Sequence, residues 1–386
     1  MKIEQVYDLV NSITAEMTGS AIVEENLKNI VDVGTTIQNL DGWQNKFVNG
    51  LIDRIGKVTF VNRPYTASAP SIMRESWEYG SIMMKIQSDL PEATVNESWD
   101  LTDGASYDPN VYKANSAEAK VFDHMVTFEL DKSILDRQLK SAFMSPAQMN
   151  AFTSMIFNEV DKSMTLKNEG LAARVINSMI ADTFYDFNSG GTYNASSGLR
   201  CVNLLYLYNQ KYGTSLTAAN ALATADFLRF ASYIMSLYVK RLSKMSTLFN
   251  MGGKKRFTPS EYLHTIFLDE FAQSAGVYLN DAANQFNTEH LKFPKAETVP
   301  YWQGSGTDYS FTNTAKVDVI SGANHNVTAT GVLGVMFDRD AVAICNENSR
   351  VTTNWNPKAE FTNYFYKRDA RFFSDANENF VVFFVA

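Results

Sequence analysis

The chain has 386 residues, 45% apolar, 20% charged and 13% aromatic, a size for about two to three domains and a composition that excludes disorder. Its formal net charge of -8 and pI of about 5.2 exclude a broad basic groove for nucleic acid. Two cysteines, Cys201 and Cys345, are too few for a disulfide framework or a cysteine-based zinc site and fit a reducing compartment.

At the N-terminus, Ile3, Val6, Val10, Ile13 and Met17 step by three and four and predict an amphipathic helix. Glu4 and Asp8 interrupt it where a signal peptide would be apolar. A second helix is predicted over 21–33, with Gly34 as its stop. A third starts near Asp41, where Asp41 and Gln44 resemble a capping pair, and repeats Trp43, Phe47, Leu51 and Ile55 on one face. These stripes must be buried against the rest of the chain or against a neighbour.

Residues 57–65 read as a strand that ends at Pro64. Two further strand-like runs, 81–87 and 121–130, flank more than thirty polar residues of Asp, Asn, Ser, Glu and Pro. A loop that long inside a compact domain is uncommon. Paired antiparallel, the two runs make it a long hairpin extending from the body.

Ser145, Pro146 and Gln148 form a helix start. Apolar positions follow at Met149, Phe152, Ile156, Val160, Met164, Leu171, Val175, Met179 and Phe184. A helix of roughly forty residues, about 60 Å long, is predicted, with Gly170 as the one place for a break. Beyond a Gly-rich link, 204–208 reads as a short helix or strand. Thr224 is expected to cap a helix that runs through Leu242. Residues 262–271 read as a buried strand leading into a helix. The runs 316–320, 331–337, 341–344 and 378–386 predict a strand-rich C-terminal part, and no apolar run approaches the ~18 residues of a membrane span. The fold class is α+β, and the chain is expected to be soluble and cytosolic when made.

No Gly-rich phosphate loop, dinucleotide fingerprint or nucleophile elbow occurs. His124, His264, His290 and His325 lack metal-ligand spacing. His264, near Asp269, reads as a core histidine. Lys254, Lys255 and Arg256 read as a solvated loop. Asp338-Arg339-Asp340 lies between two apolar runs. Paired carboxylates could serve acid–base chemistry, but such a site needs partners from elsewhere, whereas aspartate at the end of an apolar run favours a turn. The turn is the expectation. No catalytic, cofactor-binding or metal residue is assigned.

The order of elements is specific: helical arm, strand, long polar hairpin, one very long helix, mixed region, C-terminal strands. With the stretches 51–65, 299–308, 331–344 and 351–386, it resembles the major capsid proteins of tailed bacteriophages, the Hong Kong-type fold shared with herpesvirus floor proteins. The resemblance implies an N-terminal arm over 1–56 and an extended loop over 80–120. It implies a peripheral domain from 57–79, 121–183 with the spine helix, and 340–386, and an apical domain over 184–339. It implies a shell of pentamers and hexamers enclosing double-stranded DNA without sequence-specific contacts, no enzymatic activity and no cofactor. Partners would be further copies of the chain, a portal protein, a decoration protein and, since no scaffolding segment fits before Ile3, a separate scaffolding protein. The place of action would be the virion, with assembly in the host cytoplasm. Trp99, Tyr107 and Tyr112 in the loop and Ile3, Val6, Val10 and Ile13 in the arm are the candidate intersubunit contacts. The alternatives are a tail or fibre protein, or an enzyme with an unrecognised site.

Overall fold

The structure, a computed structural model, describes residues 8, 10–15, 29, 32–33, 72–74, 83–88, 90–91, 93, 95, 103, 110, 117–135, 146–188, 196–279, 293–302, 310–359 and 361–386. The helix predicted from Asp41 and the strand predicted over 57–65 lie outside them. In the arm, residues 10–15 are helical, and Val10 and Ile13 of the predicted stripe are buried within the single chain.

After the short strand β1 (Met73–Arg74), strand β2 (Met83–Ser88) pairs antiparallel with β3 (Ala117–Phe122), from Met83↔Phe122 to Ser88↔Ala117. This is the stem of the expected hairpin. The predicted run 121–130 breaks at Asp123–His124, because its first residues close the stem and the rest begins β4 (Met125–Leu135) in another sheet.

Helix α1 (Pro146–Asn188) runs unbroken for 43 residues, about 65 Å. Its buried positions Val160, Met164, Leu171, Val175, Met179 and Phe184 are those that the spacing predicts, widened by Ala172, Ile176 and Ile180 on the adjacent row. Gly170 stands on the exposed side with nothing near the place of a side chain. The backbone bonds of the surrounding turns carry the helix through it.

Five strands form one sheet in the order β5 (Cys201–Asn203), β13 (Phe380–Phe384), β10 (Val332–Asp338), β6 (Leu263–Leu268) and β7 (Ala296–Val299). Strand β10 is antiparallel to β13 and β6, whereas β13 runs parallel to β5 and β6 parallel to β7. Continuous apolar runs such as those of β10 and β13 suit strands covered on both faces. They pack with α1, α2 (Leu204–Tyr212), α4 (Ala225–Leu242) and α5 (Asp269–Leu279) into one core; the short α3 (Ala218–Ala221) precedes α4 and α6 (Phe311–Thr314) follows β7. Thr224 holds the N-cap position of α4, but its hydroxyl donates to the Asn220 carbonyl at 2.9 Å and caps nothing. Gly331, at φ +70°, enters β10 where an added Cβ would meet the Val385 carbonyl oxygen.

A second sheet has the order β1, β11 (Val342–Asn356), β12 (Phe361–Ser374) and β4. A small hairpin of β8 (Val317–Ile320) and β9 (Asn326–Ala329) packs on α1. The C-terminal segment 340–386 was expected as one strand-rich part of a single domain. Within it, β11 and β12 lie in the four-stranded sheet, and β13 lies between β5 and β10 in the other. The run "FVVFF" suits a strand covered on both faces, and all five of its residues are buried there.

Candidate functional site

Besides the passage through α1, the chain crosses between the two sheets by two turns, and these meet. One crossing is the turn 339–341 between β10 and β11; the other is the turn 375–379 between β12 and β13. The Asp375 amide donates to the Ala341 carbonyl at 2.7 Å, and the Asp338 amide to the Asn379 carbonyl at 2.9 Å.

Asp338-Arg339-Asp340 is therefore a junction turn. The buried Asp338 carboxylate accepts from the Asp340 amide at 2.9 Å and from the Thr258 hydroxyl at 2.7 Å, and Thr258 in turn accepts from the Asn379 amide at 3.1 Å. Burial pushes the Asp338 carboxyl above the usual range, while the Asp340 N–H and the Thr258 O–H hold it back. Asp340 is exposed, and Arg339 lies over the Tyr262 ring. One aspartate is spent on the turn and the other faces water, so the two do not make an acid–base pair.

The hairpin stem sits on this junction with its charged face. Lys85 Nζ lies 2.9 Å from Asp375 Oδ2 and 2.5 Å from Glu378 Oε1. Lys120 Nζ lies 2.9 Å from the other oxygen of Asp375. Gln87 donates to Glu378 at 3.1 Å and accepts from Arg256. Arg256 also reaches Glu378, and Lys254 pairs with Glu118 at 2.9 Å. Two of the three basic residues expected in a solvated loop are thus seated against the stem; Lys255 alone is exposed. The two carboxylates respond in opposite directions. Burial pushes Glu378 up, and the Lys85 contact does not fully offset it. Burial would also push Asp375 up, but hydrogen bonds from Lys120 and Lys85 outweigh it and hold its carboxyl below the usual range.

The other face of the stem is apolar and points outward. Met84, Ile86 and Val121 are 57%, 65% and 54% exposed, with Met84 opposite Val121. Antiparallel sheets ordinarily bury the apolar face and hydrate the polar one. This stem does the reverse.

Elsewhere, His264 in β6 stacks on Phe337; Asp269 is five residues further on, about 16 Å along an extended strand. His325 contacts Asp182 at 2.9 Å and stacks on Tyr185, which docks the β8–β9 hairpin on α1. Cys201 and Cys345 are both buried and form no disulfide, and burial pushes the Cys201 thiol up. Among the described residues no group of three or more His, Cys, Asp or Glu is placed to hold a metal ion, and no helix is long and apolar enough to cross a membrane. Of the candidate contact residues, Trp99, Tyr107, Tyr112, Ile3 and Val6 lie outside the described residues, and Val10 and Ile13 are buried within the chain. The residues that sequence reasoning missed are Lys85, Lys120, Asp375 and Glu378. The period-two pattern of 83–88 separates two faces but does not say which one turns inward.

The fold is that of solved phage capsids. The capsid structure of Staphylococcus phage Andhra matches at 7% identity with a TM-score of 0.50, over 82% of this chain and 83% of that one. The structure of the head fiber and inner core protein gp22 of bacteriophage P68 matches at 10% identity and a TM-score of 0.49, over 82% and 83% of the two chains. The capsid structure of cyanophage P-SCSP1u matches at 13% identity and 0.43, over 82% and 86%. No curated protein matches the sequence significantly. The family model for the Phi29-like phage major capsid protein matches residues 8–384. The chain belongs to the Phi29-like phage major capsid protein family, and it is a head-shell protein.

Proposed function

We propose that copies of this chain assemble into pentamers and hexamers and close into an icosahedral head around double-stranded DNA. The observation that carries this reading is the family match across residues 8–384. The hairpin stem supports it: an apolar face turned to solvent marks an interaction surface. In this reading the loop 80–120, through Trp99, Tyr107 and Tyr112, lies on a neighbouring subunit. The arm 1–56 contributes further contacts; Val10 and Ile13 join them only if the arm lifts from its own chain. Residues 57–79, 121–183 and 340–386 form the peripheral domain and 184–339 the apical domain, with the final strand β13 lending itself to the five-stranded sheet. The chain has no enzymatic activity and needs no cofactor. An acidic surface suits DNA that is enclosed rather than gripped. A scaffolding protein, a portal protein and a decoration protein are the partners, and assembly takes place in the host cytoplasm. Expression of the chain with a scaffolding protein, followed by electron microscopy of the products, tests the reading: closed shells support it, and elongated trimers or small soluble oligomers oppose it.

A further inference from the structure

Along most of its described inward face the hairpin stem meets the body through charged groups. Its inward face carries Lys85, Gln87, Glu118 and Lys120. Around these stand Lys254 and Arg256 from the loop before β6, Asp338 from the first crossing, and Asp375 and Glu378 from the second. Asp375 is central. It is 0% exposed, and its two oxygens are divided between the two hairpin strands, one for Lys85 and one for Lys120. Its own amide is bonded to Ala341 of the other crossing. The root adds an apolar contact, where the Phe122 ring meets that of Phe373 at 5.1 Å beside Ala343.

We propose that Asp375 is a hinge lock: it couples the direction of the hairpin to the junction between the two sheets, and without its charge the hairpin swings about its Phe122 root while both sheets stay folded. One carboxylate gripping both strands resists rotation in a way that a single ion pair cannot. Because the grip is on the crossing itself, a change in the angle between the sheets is passed to the hairpin.

The three buried carboxylates differ under acid. Glu378 and Asp338, raised by burial, take up protons first as pH falls. Lys85 of the stem opposes both of these shifts, so the hold on the hairpin in mild acid rests on Asp375, which stays ionised there. Asp375, lowered by its lysines, favours docking as long as it is ionised, and that contribution is lost only as pH falls through its depressed value.

The lock bears on assembly only if the hairpin is an assembly element, as proposed above. It is tested on the unassembled full-length chain, so a failure to form shells does not touch it. Spin labels at Ile86→Cys on the stem and Thr214→Cys on the body report the distance between them by pulsed electron paramagnetic resonance; Cys201 and Cys345 are buried and stay unlabelled. The unsubstituted junction is expected to give one narrow distribution, unchanged in mild acid. Asp375→Asn at neutral pH is expected to shift or broaden it beyond its original width, with the near-ultraviolet circular dichroism of the body retained. Lys85→Met with Lys120→Met, which leaves the junction intact, should do the same and stands in if Asp375→Asn does not fold. An unchanged distribution in the folded variants, or release of the hairpin in mild acid with the junction unsubstituted, overturns the proposal.

Discussion

The rings of Phe184 and Phe384 meet edge to face with centroids 5.0 Å apart. This contact joins the last full turn of the long helix to the C-terminal strand, and both side chains are fully buried. It seats the end of α1 on the five-stranded sheet. The helix α1 spans from one unit to the other, and the final strand is the surface on which its last turns rest.

Phe184→Ala should therefore cost about 3–5 kcal/mol, as for a large aromatic removed from a close-packed core. Denaturant unfolding of the subunit measures it. Leu166→Ala, at an exposed position of the same helix, should stay within about 0.5 kcal/mol. Equal losses at the two positions would show that the buried face of α1 is misassigned.

Gly170→Ala should stabilise the subunit by up to about 1 kcal/mol, since glycine weakens an exposed helix interior and the added methyl group meets no neighbour within 4 Å. A raised melting temperature is expected. A lowered one would mean that the helix bends at this residue.

Asp338→Ala leaves the Thr258 hydroxyl and the Asp340 amide without their acceptor in a buried turn and should cost about 1–3 kcal/mol. Asp340→Asn, at the exposed end of the turn, should stay within about 0.5 kcal/mol. The pH dependence carries a sign. The Asp338 carboxyl is raised by burial, so the folded chain holds that proton more tightly than the unfolded chain does. Its contribution favours folding in acid and is lost as pH rises through the raised value. Asp338→Asn should flatten that part of the stability curve; a steeper curve would refute the assignment.

Replacing residues 89–116 by a short Gly-Ser turn, with the paired stem kept, should leave a subunit with near-normal circular dichroism. Loop closure changes by only about 0.6 kcal/mol per doubling of length. Shell formation should fail or give shells that open in mild denaturant. Intact, robust shells would remove the hairpin loop from assembly.

Much of this architecture was legible in the sequence. Ser145 and Pro146 announced α1, the two flanking runs announced the hairpin, and the apolar runs announced β6, β10 and β13. Strand β12 was not singled out, because Lys367, Arg368 and Asp369 interrupt its alternation of buried Thr362, Tyr364 and Tyr366. The structure reconciles them sideways: Asp369 pairs with Arg350 on β11 and accepts from Thr127 on β4 at 2.7 Å, and Lys367 reaches Glu129 at 3.3 Å. Cross-strand partners of this kind are unknown until the register is. The same holds for the hairpin seat, where Lys85 and Glu378 are separated by 293 positions. An inward charged face contradicts the usual rule for a sheet, and only the buried carboxylates opposite make sense of it.

The central claim is that copies of this chain build a closed shell. Electron microscopy of particles purified after co-expression with a scaffolding protein tests it most directly. Closed shells whose surface resolves into fivefold and sixfold clusters of this subunit are expected. A product limited to monomers, small closed oligomers or elongated fibres would contradict it.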